Sequence, residues 1–356
     1  MSGGIGFYVH HHGRGHLNRA QQIISYIDEP VTVFGSSLDN KGWGGSQVKK
    51  VLLPIDTKEH HPITADWPEN LHYAPLKIPG IRERMFALAQ WIRETNPSLL
   101  VVDVSVEITL FARLMGVPTV VMRQNGARDD PPHRVAFQSS SGLLAPYPST
   151  LEDQTTPTWV CEKTFYSGGF SRYSDRELTR EGARLQVRME PSDSYVVVMN
   201  GMGGSGNPLS SIAKAAQASS SWKWWVVGPI ASYSSELPSN VEAVGQVDDT
   251  FPYLKGADVV VASAGNNTVM EIATANTPYV CIPEERPFQE QLAKAEALSH
   301  LRAARVMSEW PAAAQWSSIL DEAQRSDTSA LHSIIDREGA QKCARYIMQK
   351  ANQAVL

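Results

Sequence analysis

Residues 5–20 read IGFYVHHHGRGHLNRA. A short apolar run, Ile5–His10, enters a glycine-rich turn at His11–Gly15, and helical periodicity follows from about Leu17 to Tyr26. Strand, glycine turn and helix in that order form the opening βα unit of a parallel sheet. The alternation continues outward from it. Strands are expected at Val31–Phe34, Lys50–Leu53, Leu99–Val102 and Pro118–Met122, and helices at Arg82–Thr95 and Ile108–Met115. The Asn96-Pro97 pair stops the first of these helices.

The alternation pauses, then restarts. Residues 138–160 are rich in Ser, Thr, Pro and Gly, and 164–176 (TFYSGGFSRYSDR) read as a linker centred on Gly168-Gly169. A second series begins with the strand Tyr195–Met199, the glycine loop NGMGGSGN and a helix over Leu209–Gln217. Strands Lys223–Gly228, Val241–Val244, Ala257–Ala262 and Pro278–Ile282 follow, with helices at Val269–Ala275 and Gln289–Leu301 and a last amphipathic helix at Ala340–Ala354. The expected fold is α/β, with two Rossmann-like domains facing each other across a cleft. Their expected bounds are 1–165, joined by a returning helix at 340–356, and 172–339.

Composition narrows the function classes. The chain has 356 residues, 42% of them apolar and 19% charged, enough for a sizeable core and unlike a disordered or coiled-coil chain. A net charge of −5 gives no drive toward nucleic acid or an anionic membrane. Three scattered cysteines, Cys161, Cys281 and Cys343, offer neither a disulfide framework nor a zinc site. No apolar run reaches the roughly 18–20 residues of a membrane span. The apolar patch at the N-terminus is too short for a secretory signal, so a soluble cytoplasmic protein is expected. Eight of the ten histidines precede residue 134, an asymmetry that assigns the two halves different chemistry.

Three constellations could carry that chemistry. In the first, Gly13 and Gly15 allow a tight turn at the carboxyl edge of the sheet, and His16 opens the following helix. A histidine there titrates near neutral pH and can act as a general base. Asp103, ending its strand on the same edge, can hold its tautomer. The alternative is that His16 caps a helix and Asp103 a loop. His10, His11 and His12 cannot all point one way and lack the spacing of a metal site.

The second constellation, NGMGGSGN at 200–207, offers unobstructed backbone N–H groups before a helix, suited to a pyrophosphate or to a structural turn alone. The third spans 257–295, where another strand feeds a small-residue loop and then a helix carrying Thr268 and Glu271. Glu271 lies one turn beyond the loop, placed to accept hydrogen bonds from a ribose diol, and Arg286 and Glu290-Gln291 follow the next strand. Two anion-ready loops with carboxylates at one sheet edge suit a nucleotide diphosphate bearing a sugar. Trp222, Trp224 and Trp225 lie on an apolar strand, which predicts core packing rather than carbohydrate stacking. Asp129–His133 reads as a solvated loop or an acceptor contact.

The third stretch resembles the donor-binding signature of GT-B glycosyltransferases, in particular family 28, the MurG-like enzymes, and the related UDP-glycosyltransferases. Gly265, Thr268, Glu271, Pro283 and Glu290-Gln291 carry the likeness, together with GRGH at 13–16, PSLLVVDVSVEITLFARLMGVPTVVMRQNG at 97–126 and NGMGGSG at 200–206. The resemblance implies an inverting hexosyltransferase that uses a UDP-sugar. His16 would be the base and Asp103 its orienting carboxylate. Gly203, Gly204, Ser205, Gly265, Asn266, Asn267 and Thr268 would face the diphosphate, Glu271 the ribose, and Glu290 and Gln291 the sugar.

The same resemblance implies no cofactor and no catalytic metal, because helix N-termini and amides stabilise the leaving diphosphate. No Asp-x-Asp motif is present. The acceptor would be a hydroxyl on a small molecule, a glycan or a lipid-linked substrate, the last with peripheral membrane contact. Ser263 departs from the histidine or arginine of many relatives, and Arg286 is the candidate to replace that charge. Residues 1–165 carry 15 basic against 16 acidic side chains, so no basic acceptor face marks a peptidoglycan enzyme. The GRGHLNR run also resembles the loop of UDP-sugar hydrolases. A nucleotide-sugar hydrolase or epimerase, or a catalytically silent GT-B partner, are therefore the alternatives.

Overall fold

The computed structural model describes residues 3–10, 15–38, 43, 47–56, 74, 76–201, 204, 206–230 and 236–353. The chain divides into two compact units. One comprises Met1–Pro146, Gln154–Ser167 and Glu338–Leu356, and the other Tyr147–Asp153 and Gly168–Arg337.

The first unit runs β1 (Ile5–Tyr8), α1 (Gly15–Ile24), β2 (Val31–Gly35), β3 (Val48–Leu52), α2 (Pro79–Thr95), β4 (Leu99–Asp103), α3 (Val106–Leu114), β5 (Thr119–Met122), α4 (Pro131–Ser139), β6 (Gly142–Ala145), α5 (Thr158–Lys163) and β7 (Thr164–Tyr166). These strands form one parallel sheet in the order β3-β2-β1-β4-β5-β6-β7. The order reverses direction between β1 and β4, the switch point where loops on the carboxyl edge diverge and leave a crevice. Strand β4 is the unbroken apolar run LLVV closed by Asp103, buried at every position, as expected of a strand covered on both faces.

Local signals set the helix bounds. Pro79 starts α2, and Asn96 ends it in the left-handed region ahead of Pro97. Ser105 caps α3 by accepting from the Ile108 N–H.

The second unit contains α6 (Arg180–Val187), β8 (Ser194–Met199), α7 (Leu209–Ala218), β9 (Trp222–Val227), β10 (Val241–Gly245), α8 (Phe251–Gly256), β11 (Val259–Ala262), α9 (Asn266–Ala275), β12 (Tyr279–Cys281), α10 (Glu290–His300), β13 (Arg305–Val306), α11 (Trp316–Gln324) and α12 (Ser329–His332). Its parallel sheet has the order β10-β9-β8-β11-β12-β13, so its switch point lies between β8 and β11. Trp222, Trp224 and Trp225 are core residues, with Trp224 edge-on to Trp316 at 5.2 Å between ring centroids. A last helix, α13 (Gly339–Gln353), belongs to the first unit, where Tyr346 stacks on Phe165 at 4.6 Å.

Three sequence expectations are corrected. Residues 164–176 are not a plain linker, because 164–166 form the edge strand β7. The Ser/Thr/Pro-rich stretch 138–160, where short strands but no long element are expected, holds β6 and also the first half of α5. Asp129–His133 is a helix start rather than a loop: Asp130 caps α4, Pro131 opens it and His133 is buried. Among the described residues no helix is long and apolar enough to cross a membrane.

Two outcomes test this packing. A methyl added at Gly6 of β1 would overlap the Trp91 ring and lie 2.6 Å from Leu100 Cδ1, so Gly6→Ala should cost roughly 1–3 kcal/mol in urea unfolding. An unchanged midpoint would contradict the β1–α2 contact. Burial pushes the Cys281 and Cys343 thiols up to about 12, whereas Cys161 is partly exposed. Because the thiolate is the nucleophile, a thiol reagent should titrate one cysteine in the native chain and all three after denaturation.

Candidate active site

At the switch point of the first sheet, β1 leads into α1 and β4 ends at Asp103. His16, the second residue of α1, directs Nδ1 at Asp103 Oδ2, 2.6 Å away. Arg19, one turn further along the same helix, lies 2.8 Å from Oδ1 and 3.0 Å from Oδ2 through one nitrogen. Asp103 and Arg19 are both buried. Burial alone would raise the Asp103 carboxyl, but Arg19 and then His16 outweigh it and hold the group well below the usual carboxylate range. Asp103 is therefore an ionised acceptor for the imidazole near neutral pH.

On the other side of the ring, Gln124 Nε2 approaches His16 Nε2 at 3.4 Å. Arg128 donates to Gln124 Oε1 at 3.0 Å and also stands 3.4 Å from His133 Nε2. His133 in turn is held by Asp130 at 2.8 Å. The ring of His10 lies 5.4 Å from that of His16. Beside this chain of contacts, a small crevice lies between α3, α4 and the ends of β4 and β5. Apolar Val106, Val121, Ala136 and Phe137 line it together with Gln124 and Arg128.

The second unit is built differently. Asn200, at the end of β8, accepts from the Asn207 N–H at 3.0 Å and donates to Pro229 O at 3.1 Å, which closes the glycine loop on itself. Gly206 turns in the left-handed region, with φ +64°, where a side chain would be strained. Gly204 lies against the Glu284 carboxylate, which Arg286 holds at 2.7 Å. Gly203 and Ser205, like Gly13, His11 and His12, lie outside the described residues.

After β11, Ser263, Gly265, Asn266, Asn267 and Thr268 form the turn into α9 and are all partly exposed. Gln291 ties this turn to the loop after β12, its Oε1 accepting from Ala264 N–H at 3.1 Å and Glu284 N–H at 2.9 Å. Glu290 stands at the first position of α10. Glu271 is engaged already: Arg172 donates to it at 3.0 Å and Thr250 at 3.0 Å. Burial pushes its carboxyl up, while Arg172 and Thr250 act in the opposite direction.

The structure thus brings His16 together with Asp103, and Gly204 with Glu284 and Arg286. It shows roles that sequence reasoning missed for Arg19, Gln124, Arg172, Thr250 and Lys294. Lys294 is a buried lysine whose Nζ donates to Asn266 Oδ1 at 2.7 Å. Arg19 alone had a local signal, since i and i+3 share a helix face. The others depend on pairings far apart in sequence. Among the described residues, no group of three or more His, Cys, Asp or Glu comes together at metal-binding spacing.

Comparison with known proteins adds a match over part of the chain. Residues 228–338 match the glycosyltransferase family 28 C-terminal domain. The chain is 25% identical over 218 residues to an uncharacterized glycosyltransferase of Methanosarcina mazei, covering 54% of this chain and 56% of that protein. One of Methanosarcina acetivorans is 25% identical over 166 residues, covering 44% and 40%. The chain therefore spans about half the length of the curated relatives it matches.

Solved structures align along nearly the whole chain. Arabidopsis thaliana UGT89C1 complexed with UDP superposes with a TM-score of 0.71 at 15% identity, covering 99% of this chain and 100% of that one. The same protein has been solved with UDP-L-rhamnose and with quercetin. The glycotransferase of kitacinnamycin gives a TM-score of 0.68 at 16% identity, covering 99% and 97%. The chain has the GT-B fold of these structures, and its residues 228–338 are similar to the glycosyltransferase family 28 C-terminal domain.

Proposed function

We propose that this chain is a glycosyltransferase that moves a sugar from a UDP-sugar to an acceptor hydroxyl, with inversion and without a catalytic metal. The observation that carries the reading is the 2.6 Å contact between His16 Nδ1 and the ionised Asp103 at the switch point of the first sheet. With its Nδ1–H donating to the Asp103 carboxylate, the imidazole presents Nε2 as a base. The acceptor O–H gives its proton to Nε2, and the oxygen attacks the anomeric carbon of the donor. The bond from that carbon to the diphosphate breaks, and the diphosphate leaves with the electron pair.

The second unit's loops supply what a leaving diphosphate needs: backbone N–H groups around Gly204 and Gly265, and the N-terminus of the ten-residue helix α9. Asn266, steadied by Lys294, stands at that terminus. Lys294 and Arg286 are candidates for the positive charge that Ser263 does not provide. Glu271 would hold the ribose, sharing or releasing Arg172 as it does so. Glu290 and the Nε2 of Gln291 would face the sugar. A UDP-sugar donor is also in keeping with the UDP and UDP-L-rhamnose complexes of UGT89C1. The acceptor would approach His16 from the side of Gln124, and a hydroxyl-bearing small molecule is in keeping with the quercetin complex of the same protein.

Two experiments test this reading. With a panel of labelled nucleotide sugars and hydroxyl acceptors, the chain should transfer sugar only when acceptor is present, and His16→Ala should lower the rate by about 10²–10⁴. Stoichiometric free sugar without acceptor, or full activity in His16→Ala, would overturn the transferase reading. In the second, a methyl at Gly265 meets only ordinary contacts, Thr268 Oγ1 at 3.6 Å and Gln291 Nε2 at 4.0 Å, so Gly265→Ala should melt normally. It should nevertheless bind UDP about tenfold more weakly, a loss of ~1.4 kcal/mol by calorimetry. Unchanged affinity would remove Gly265 from the donor site.

A further inference from the structure

The contacts around His16 determine more than its partnership with Asp103. An arginine side chain has donors and no acceptor, so the Gln124 atom facing Arg128 at 3.0 Å must be the carbonyl oxygen. The amide of Gln124 therefore turns its NH₂ toward His16. That group also only donates, so the ring nitrogen it faces, Nε2, must carry a lone pair and no proton. Asp103 reaches the same conclusion from the opposite side, because an ionised carboxylate only accepts and so requires the proton on Nδ1. Arg19 Nη2 also lies 3.2 Å from Nδ1, but it donates to both oxygens of Asp103 at 2.8 and 3.0 Å, so the shorter 2.6 Å contact with the carboxylate assigns the Nδ1 proton. The contacts from β4 and from the segment after β5 then agree on a single tautomer.

We infer that Gln124 is a positioning residue for the base: locked by Arg128, its amide keeps the Nε2 of His16 unprotonated and marks the direction from which the acceptor hydroxyl donates. This deepens the reading of His16 as the base and rests on it for its catalytic meaning. The approach of 3.4 Å is long for a hydrogen bond, so a substrate hydroxyl at the usual 2.7–3.0 Å can displace it at little cost. Arg128 belongs to the same device. Its second nitrogen lies against His133, which Asp130 anchors at the N-terminus of α4, so the helix start misread as a loop holds the far end of the chain of contacts. Gln124 and Arg128 also line the crevice beside the proposed acceptor position. An acceptor seated there would meet the group that orients the base.

The test is spectroscopic and needs no substrate. Long-range ¹H–¹⁵N spectra of histidine-labelled protein report which ring nitrogens carry protons, and His16 is assigned by the signal lost in His16→Ala. In the unmodified chain at neutral pH, His16 should show a protonated Nδ1 and a bare Nε2. In Gln124→Glu the donor becomes an acceptor, and the ring should hold protons on both nitrogens at the same pH. Arg128→Met, which frees the amide to turn its oxygen to the ring, should raise the Nε2-protonated fraction as well, and it serves if the glutamate variant fails to fold.

A proton already on Nε2 in the unmodified chain would overturn the inference. So would a spectrum of His16 that is identical in all three proteins. Measuring turnover of His16→Ala in parallel separates the two ideas. Unmoved spectra with lost turnover would remove the role of Gln124 and leave the base in place. Shifted spectra with intact turnover would remove the base and leave the tautomer lock.

Discussion

The buried carboxylate of Asp103 is the constraint around which the first unit is arranged. An ionised carboxylate taken from water costs several kcal/mol unless nearby donors compensate it. Among the described residues Asp103 has two, and both come from one face of α1, one turn apart. The register between β1 and β4, with Tyr8 opposite Val102, puts the end of β4 beside the loop that launches α1. The carboxylate is thereby satisfied by the very helix that carries the imidazole. Losing Arg19 would leave one donor for a buried charge, and losing the strand register would leave none. Fold and candidate base are in this sense one interaction.

The second unit meets its electrostatic demand with backbone rather than side-chain charge. Its switch-point loops are short in side chain and rich in N–H, and they are held by amide groups such as Asn200 and Gln291. Under the proposed function the contrast accounts for the histidine asymmetry. Proton transfer needs a titratable ring, while a diphosphate needs fixed dipoles that do not titrate. Two carboxylates near these loops are paired: Glu271 with Arg172, and Glu284 with Arg286. A ligand entering here exchanges partners with those pairs rather than filling an empty socket.

Most strands were legible because both sheets are parallel and buried on two faces, so LLVV at 99–102 and VVVM at 196–199 appear as continuous apolar runs between glycine or proline punctuation. The tryptophan cluster was legible for the same reason. Short polar elements were not. Helix α6 (REGARLQV) has few apolar residues, and it forms where Arg184 reaches the Gly256 carbonyl and Asp258, more than seventy residues away. Strand β7 hid in a glycine-rich stretch because three residues carry no periodicity, and only pairing with β6 defines them. At the candidate site, His16 and Asp103 were visible as chemistry at loop positions. The role of Gln124 was not, because an amide has no signature until its two neighbours are known.

Asp258 provides the comparison that separates a structural carboxylate from one fit for chemistry. It too is buried, and it accepts from Arg184 at 2.6 Å, from the Tyr195 N–H at 2.8 Å, from Gln324 at 3.1 Å and from Arg180. It lies just before β11, at the amino edge of its sheet, where no loops diverge around a switch point. None of its donors can exchange a proton near neutral pH, since guanidinium, amide and backbone N–H keep theirs. Asp103 differs on both counts. It stands at the carboxyl edge of the switch point, and one of its two donors is an imidazole whose other nitrogen is held bare. Two aspartates of similar burial and similar partners are thus told apart by the direction of the strand they flank and by whether a neighbour can take up a proton.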